Sequence, residues 1–168
     1  NAGSKVRYGI PFTREKREIE LTGEAYLEVV KNEKSPFLVK TSNAFVEVLG
    51  TGFNVKAYPD MQNIEVALKE GKVKFSFPGE NRKRKYCELK VDDYLQFQKS
   101  SKKVDVDNTD IEKYIAWHNN ILVLDDTPMR EVARLLEQWY GVKVILKGSE
   151  ILNYKFTTTF DDEPLFRV

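Results

Sequence analysis

The sequence has one cysteine, Cys87, and one histidine, His118, among its 168 residues. A single cysteine excludes an intrachain disulfide, but it does not assign a compartment, because cytosolic and bacterial periplasmic chains both tolerate it. Zinc sites usually need three or four protein ligands, so one histidine and one cysteine far away in the sequence do not support a zinc site. We therefore expect no metal and no other cofactor.

Long apolar runs and a charge of one sign are also lacking. No stretch approaches the roughly 18 consecutive apolar residues of a membrane-spanning helix, and no signal peptide is visible. The net charge of +1 argues against a nucleic-acid partner. Because the chain begins in mid-pattern at Asn1, without methionine, we interpret it as a fragment.

Catalytic signatures are missing as well. No G-x-S-x-G nucleophile motif accompanies His118. Gly50-Thr51-Gly52 precedes a strand pattern instead of a helix, so we expect these glycines to allow a bulge or a tight strand crossing. The acidic groups at Asp125-Asp126 and Asp161–Glu163 lack the spacing of a calcium loop, and helix capping explains them. We predict no enzymatic activity and no catalytic or metal-binding residue.

Apolar and polar residues alternate along much of the first two thirds of the chain. Ile64, Val66 and Leu68 share one face while Glu65 and Lys69 share the other, which is typical of a half-buried strand. The same period of two recurs in Leu27–Val29, Phe37–Val39 and Ala44–Val48. Glu70-Gly71 has the composition of a two-residue hairpin turn before Val73–Phe77. The fold class predicted for residues 1–108 is a mainly β, antiparallel β-sandwich or jelly roll.

The pattern changes after Asn108. Met129 to Tyr140 follow a helical period, with Thr127 predicted as N-cap, Pro128 at the first helical position and Gly141 as the stop. Val142–Leu146 and Tyr154–Phe160 are predicted strands, and Pro164 is predicted to begin another helix. Residues 116–168 are therefore expected to form a separate, small α+β domain that is incomplete at its C-terminus. The charge differs too: residues 1–109 carry 20 Lys+Arg against 16 Asp+Glu, and residues 110–168 carry 7 against 10.

Several blocks of the first part resemble the FecR domain. Gly23–Val29 (GEAYLEV) resembles the family's GEAYFEV block, and Val46–Val55 (VEVLGTGFNV) resembles its VEVLGTSFNV block, with Gly52 in place of serine. Glu70–Val73 (EGKV) is similar to the block that closes the region. Asn1–Ser4 resembles a stretch of that domain which normally follows several further residues, so the resemblance implies an N-terminal truncation.

The second part resembles the C-terminal domain of such proteins in the Bacteroidetes. Asp125–Pro128 (DDTP) and Trp139–Val142 (WYGV) fit its FDDTPL…ERWYGV frame, and Tyr154–Thr157 (YKFT) fits its YKFTGTF strand. This unit also resembles the secretin and TonB short domain, a module used for protein contacts.

The resemblance implies a function without catalysis. FecR-like proteins are transmembrane anti-sigma factors with a cytoplasmic segment, one membrane helix and a periplasmic region. The resemblance implies that this chain is the periplasmic domain of a single-pass inner-membrane protein. Its implied partners are the N-terminal signalling domain of a TonB-dependent outer-membrane receptor and, through a cytoplasmic segment absent here, an extracytoplasmic-function sigma factor. The alternatives are a carbohydrate-binding jelly-roll module, which would need an exposed aromatic platform, and a passive structural domain.

The strand at Tyr154–Phe160 is the candidate contact surface. If it lies at a sheet edge, a partner strand could pair with it. We assign the exposed side to Lys155, Thr157 and Thr159, and the core side to Tyr154, Phe156 and Phe160. Trp139 is also expected in the core. The basic run Arg82–Lys85 is interpreted as a solvated loop, although an acidic partner or lipid headgroups would also suit it.

Overall fold

The computed structural model describes residues 1–10, 17–79 and 83–165. Its contacts divide the chain into two compact units. One contains Ser4–Ile111, and the other contains Glu112–Val168 together with Asn1–Gly3.

The described residues of the first unit form ten strands and no helix before Glu112. The strands are β1 (Lys5–Tyr8), β2 (Arg17–Val29), β3 (Phe37–Lys40), β4 (Phe45–Val48), β5 (Thr51–Ala57), β6 (Asn63–Glu70), β7 (Val73–Pro78), β8 (Arg84–Leu89), β9 (Asp93–Gln98) and β10 (Lys103–Asn108). Their hydrogen-bonded order is β10-β9-β6-β5-β2-β3-β4-β7-β8, with β1 added beside β2.

Strand β2 is long enough to serve two sheets. Its first part, from Arg17 to Glu20, pairs in parallel with β3, and its second part, from Gly23 to Val29, pairs antiparallel with β5. Every other pairing in the unit is antiparallel among the described residues. The two groups of strands on either side of β2 therefore form the two layers.

The core lies between these layers. Phe75 and Phe77 of β7 face Phe97 of β9, with ring centroids 5.6 and 5.0 Å apart. The residues predicted to share inward faces, including Ile64, Val66 and Leu68 of β6, belong to the same buried cluster. The predicted mainly β, antiparallel sandwich class is thereby confirmed.

The turn at Gly71 is not the predicted hairpin. β6 pairs with β5 and β9, whereas β7 pairs with β4 and β8, so the chain crosses between layers here. Gly71 does adopt the predicted positive φ, at +89°. Turn composition alone does not distinguish a hairpin from a short crossover between facing sheets, because both need a reversal.

The glycines at the start of β5 have the structural role expected of them. Thr51 begins a strand, and the β5–β6 register shifts between Gly52 and Phe53, which marks a bulge or irregularity. A Cβ on Gly50 would lie 2.4 Å from the Cα of Lys31. The strand crossing therefore requires glycine at position 50.

The second unit contains α1 (Glu112–Ile115), a 3-10 turn (Ala116–Asn119), β11 (Ile121–Pro128), α2 (Met129–Tyr140), a 3-10 turn (Glu150–Asn153) and β12 (Lys155–Asp161). β11 and β12 form an antiparallel two-stranded sheet. One face of α2, containing Met129 and Val132, forms a buried cluster with Leu122 and Leu124 of β11. This is a small α+β arrangement.

Two local predictions in this unit are wrong. Thr127 is not the N-cap of α2, because β11 continues to Pro128, which occupies the cap position with an extended backbone. Val142–Leu146 forms no strand. The helix predicted from Pro164 lies largely outside the described residues.

Candidate partner-binding strand

β12 is an edge strand. Within the part of the chain that the structure describes, it pairs with β11 alone, which leaves its second edge without a neighbouring strand. An edge of this kind presents unpaired backbone N–H and C=O groups to solvent.

Alternate residues of β12 supply those groups. The N–H of Asp162 donates to the carbonyl of Asn120 at 2.9 Å, and the N–H of Met129 donates to the carbonyl of Tyr154 at 3.0 Å. Hydrogen-bonded and non-bonded positions alternate along an antiparallel pair. The even-numbered residues therefore bond to β11, and Lys155, Thr157 and Thr159 direct their N–H and C=O groups outward.

A bulge in β11 engages two of these three residues. The register shifts between Leu124 and Thr127, and Asp126 has a φ of +47°. The Asp126 N–H donates to Thr157 Oγ1 at 2.9 Å, and the Lys155 ammonium forms an ion pair with the Asp126 carboxylate. The hydroxyls of Thr157 and Thr127 satisfy consecutive N–H groups of the bulge, since Asp125 donates to Thr127 Oγ1 at 3.0 Å.

The side chains of β12 depart from the predicted division into core and surface. Lys155, Thr157 and Thr159 are exposed as expected, and Phe160 packs on the core cluster. Tyr154 and Phe156, predicted to be core, are 59% and 43% exposed. Phe156 pairs with Thr127 beyond the bulge, so the inward pattern set by Phe160 does not extend to it. The surface at this edge therefore offers both unpaired backbone hydrogen-bonding groups and exposed aromatic side chains.

Helix α2 supports the sheet through its aromatic end. Trp139 is partly buried against the core cluster, as predicted. The Tyr140 hydroxyl donates to the carbonyl of Glu163 at 2.6 Å, just after β12. Desolvation by burial raises the pKa of Tyr140, and the nearby carboxylates of Glu163 and Asp162 add to the rise.

The described residues that were considered for catalysis or metal binding do not form a cluster. A ring nitrogen of His118 contacts the carbonyl of Ile115 at the end of the short α1 helix. Asp125 pairs with Lys113 at 3.4 Å and, like Asp126, lies in the β11 bulge, so neither caps a helix as predicted. No group of three metal-ligating side chains occurs among the described residues. None of the described helices has the length and apolar character that crossing a membrane requires.

The carbohydrate alternative requires an exposed aromatic platform. Phe45 and Tyr86 lie on one outer face, and Tyr86 is 66% exposed. Cations cover both rings: the Arg84 guanidinium carbon lies 4.0 Å from the centroid of Phe45, and Lys74 Nζ lies 5.2 Å from that of Tyr86. Such a face is less suited to stacking on a sugar than an open aromatic surface.

The basic run at residues 82–85 differs from the predicted solvated loop. Arg84 and Lys85 belong to strand β8, while Arg82 lies outside the described residues.

Taken together, the fold and the strand define a class: a β-rich protein of two units, with an exposed edge strand as its candidate contact surface. The family profile described as FecR protein matches residues 1–86, and the profile described as FecR, C-terminal, matches residues 121–168. The chain belongs to the FecR family, a regulatory family of anti-sigma factors.

Solved structures agree with this assignment. Two crystal structures of an anti-sigma factor candidate from Parabacteroides distasonis ATCC 8503 superpose with TM-scores of 0.85 and 0.84. Each shares 30% sequence identity, and the match covers 99% of this chain and 76% of the other. No curated protein sequence matches the chain significantly.

Proposed function

We propose that this chain is the periplasmic region of a single-pass inner-membrane anti-sigma factor. It relays a signal from the N-terminal signalling domain of a TonB-dependent outer-membrane receptor. The output is an extracytoplasmic-function sigma factor, reached through a cytoplasmic segment outside this chain. Membership of the FecR family supports the regulatory role. The proposal includes no catalytic activity, and it treats residues 1–108 and 116–168 as separate domains.

The observation that carries the receptor contact is the exposed edge of β12. Three alternate residues direct backbone donors and acceptors outward, and exposed aromatic surface is added by Phe156 in the strand and by Tyr154 just before it. Added strands gain affinity from main-chain hydrogen bonds and specificity from alternate side chains. A small α+β signalling domain with an edge strand of its own would fit such a surface.

Thr159 gives the sharpest test of this contact. Its N–H faces outward, and its side chain takes no part in the bulge, whereas Thr157 also holds Asp126. Thr159→Pro removes the outward donor, and proline is tolerated on a free edge. Thr159→Val is the matched control, because it keeps the N–H and changes only the side chain.

The binding partner is the signalling domain of the cognate receptor, identified by screening the TonB-dependent receptors of the genome that encodes the chain. Isothermal titration should show at least a tenfold weaker complex for Thr159→Pro and a change within about threefold for Thr159→Val, with circular dichroism unchanged. Equal affinities for a folded Thr159→Pro variant and the parent would place the contact elsewhere. Binding to a glycan array, with no receptor domain bound, would favour the carbohydrate alternative.

A further inference from the structure

Strand β12 has a symmetric sequence. From Lys155 to Asp161 it reads KFTTTFD, with Phe156 and Phe160 placed evenly about Thr158 and opposite charges at its two ends. Two copies of this strand, aligned antiparallel about Thr158, therefore set Lys155 of each copy opposite Asp161 of the other. The same alignment sets each Phe156 opposite a Phe160.

The backbone of β12 is in phase with this alignment. Among the even-numbered residues, Tyr154 and Asp162 hydrogen-bond on the β11 side. Hydrogen-bonding direction alternates along a strand, so the odd-numbered residues direct their N–H and C=O groups to the free edge. An alignment about Thr158 matches odd-numbered residues with odd-numbered ones, and each such pair exchanges two backbone hydrogen bonds. The pairs are Lys155 with Asp161 and Thr157 with Thr159.

One face of the paired strands is polar. Lys155 and Asp161 are both exposed, and opposite charges directly across a strand pair stabilise it, as do facing threonines. The Lys155 ammonium already forms an ion pair with Asp126 of its own chain. That ion pair is exposed and weak, and an ammonium has three donors, so Lys155 can bind both carboxylates.

The opposite face of the paired strands is aromatic. Phe160 packs against the core cluster of its unit, whereas Phe156 is 43% exposed. In the alignment, Phe156 lies beside Phe160 of the second copy at a non-hydrogen-bonded position, where side chains approach each other most closely. Pairing therefore covers Phe156 and extends the apolar cluster of each copy across the edge.

We propose that β12 pairs with β12 of a second copy of this chain, antiparallel about Thr158, to form a four-stranded sheet in the order β11-β12-β12-β11. The pairing is closed, because each copy uses the same edge once, so it yields dimers and not filaments.

Neighbouring registers of the same edge fit less well. Centring the alignment on Thr157 or Thr159 separates Lys155 from Asp161. It also separates the two phenylalanines, so the charged and the aromatic pairs are lost together. The alignment about Thr158 is thus favoured on both faces of the sheet.

Self-pairing occupies the edge that the proposed receptor contact needs. The pairing is argued from the sequence and backbone of β12 alone and does not rest on that contact. One consequence does rest on it: the receptor signalling domain and the second copy exclude each other, so dimerisation regulates access to β12.

The first experiment is sedimentation velocity of the whole 168-residue chain over a series of micromolar concentrations. The parent should form a reversible dimer. Lys155→Asp sets two aspartates opposite each other, and Asp161→Lys sets two lysines opposite each other, so each variant alone should dimerise at least fivefold more weakly. An equimolar mixture of the two variants restores opposite charges at both ends and should dimerise within about threefold of the parent. Lys143→Asp, at an exposed lysine outside β12, is the matched control and should leave dimerisation unchanged.

Cross-linking tests the register. In a Cys87→Ser background, Thr158→Cys places two cysteines directly opposite each other, with Cα atoms roughly 4.5 Å apart, a spacing that a disulfide spans. Mild oxidation should cross-link this variant at least tenfold faster than Thr159→Cys, which lies on the same strand but faces position 157 of the second copy. This measurement decides the matter if circular dichroism shows that a charge variant does not fold.

Several results would overturn the proposal. They are a chain that stays monomeric, a dimer that both folded charge variants leave unchanged, a mixture that dimerises no better than its components, or equal cross-linking rates. The receptor contact fails separately. The oxidised Thr158→Cys dimer should not bind the receptor signalling domain, and the reduced protein should. Binding of that domain to the oxidised dimer would place the receptor contact away from β12 and leave self-pairing intact.

Discussion

Gly23 occupies the position in β2 where the strand passes from one layer to the other. Its φ is +103°, and a Cβ at this residue would lie 2.5–2.7 Å from atoms of Ser4. Ser4 is held there because its hydroxyl accepts a hydrogen bond from the N–H of Glu24 at 2.8 Å. Both the backbone conformation and the close neighbour therefore require glycine.

Replacing this glycine should be costly. Gly23→Ala combines a backbone conformation that L-residues rarely adopt with a steric clash, so we expect the free energy of unfolding to fall by about 2–4 kcal/mol. Urea denaturation followed by circular dichroism measures the change. Gly9→Ala is the matched control, because among the described residues no atom outside its chain neighbours lies within 4 Å of its added Cβ. A loss of stability in Gly9→Ala as large as that in Gly23→Ala would contradict this explanation.

The sequence predicts individual residues well where one face is buried. The alternation at Ile64–Leu68 correctly identifies core side chains, because burial acts on every second residue of a regular strand. It fails at Phe156, where the bulge at Asp126 interrupts the register of the partner strand. A bulge depends on contacts with another strand, and these are not visible in the local pattern.

At the scale of elements, the β11 bulge determines how the candidate edge is presented. Its positive φ at Asp126 is stabilised by a threonine hydroxyl from the opposite strand and by the Lys155 ion pair. The ion pair is exposed and contributes little by itself. The Thr157 hydroxyl is therefore the more important support.

Thr157→Val tests that support. It removes the acceptor for the Asp126 N–H while keeping the size and β-branching of the side chain. We expect the free energy of unfolding to fall by about 0.5–1.5 kcal/mol, and the Asp126 amide to exchange with deuterium at least fivefold faster. The Thr159 hydroxyl is not part of the bulge, so Thr159→Val should change the free energy of unfolding by less than about 0.5 kcal/mol. Slower exchange at Asp126 in Thr157→Val would exclude this role for the hydroxyl.

The elements that the sequence predicts least well are those whose identity depends on neighbours. Glu70-Gly71 has a turn composition, yet the strands on either side of it belong to different layers. Val142–Leu146 has the apolar residues of a strand, yet it forms no ladder. In contrast, α2 follows from the sequence almost to the residue, because helical hydrogen bonds are local and Gly141, with a φ of +65°, ends it.

At the scale of the whole molecule, each unit has a buried cluster of its own. Phe97 is central to the first cluster and Leu124 belongs to the second. If the units are separate domains, scanning calorimetry should resolve two transitions. Phe97→Ala should lower only the transition of the first unit, by about 3–5 kcal/mol, and Leu124→Ala only that of the second, by about 2–5 kcal/mol. A single transition that both variants shift together would show one cooperative domain.

β2 is the strand through which the two halves of the first unit are hydrogen-bonded to each other among the described residues. In the sheet order β5, β6, β9 and β10 lie on one side of it, and β3, β4, β7 and β8 lie on the other. A change in the angle between the two layers would therefore have to be accommodated along β2, and Gly23 lies where this strand passes from one layer to the other.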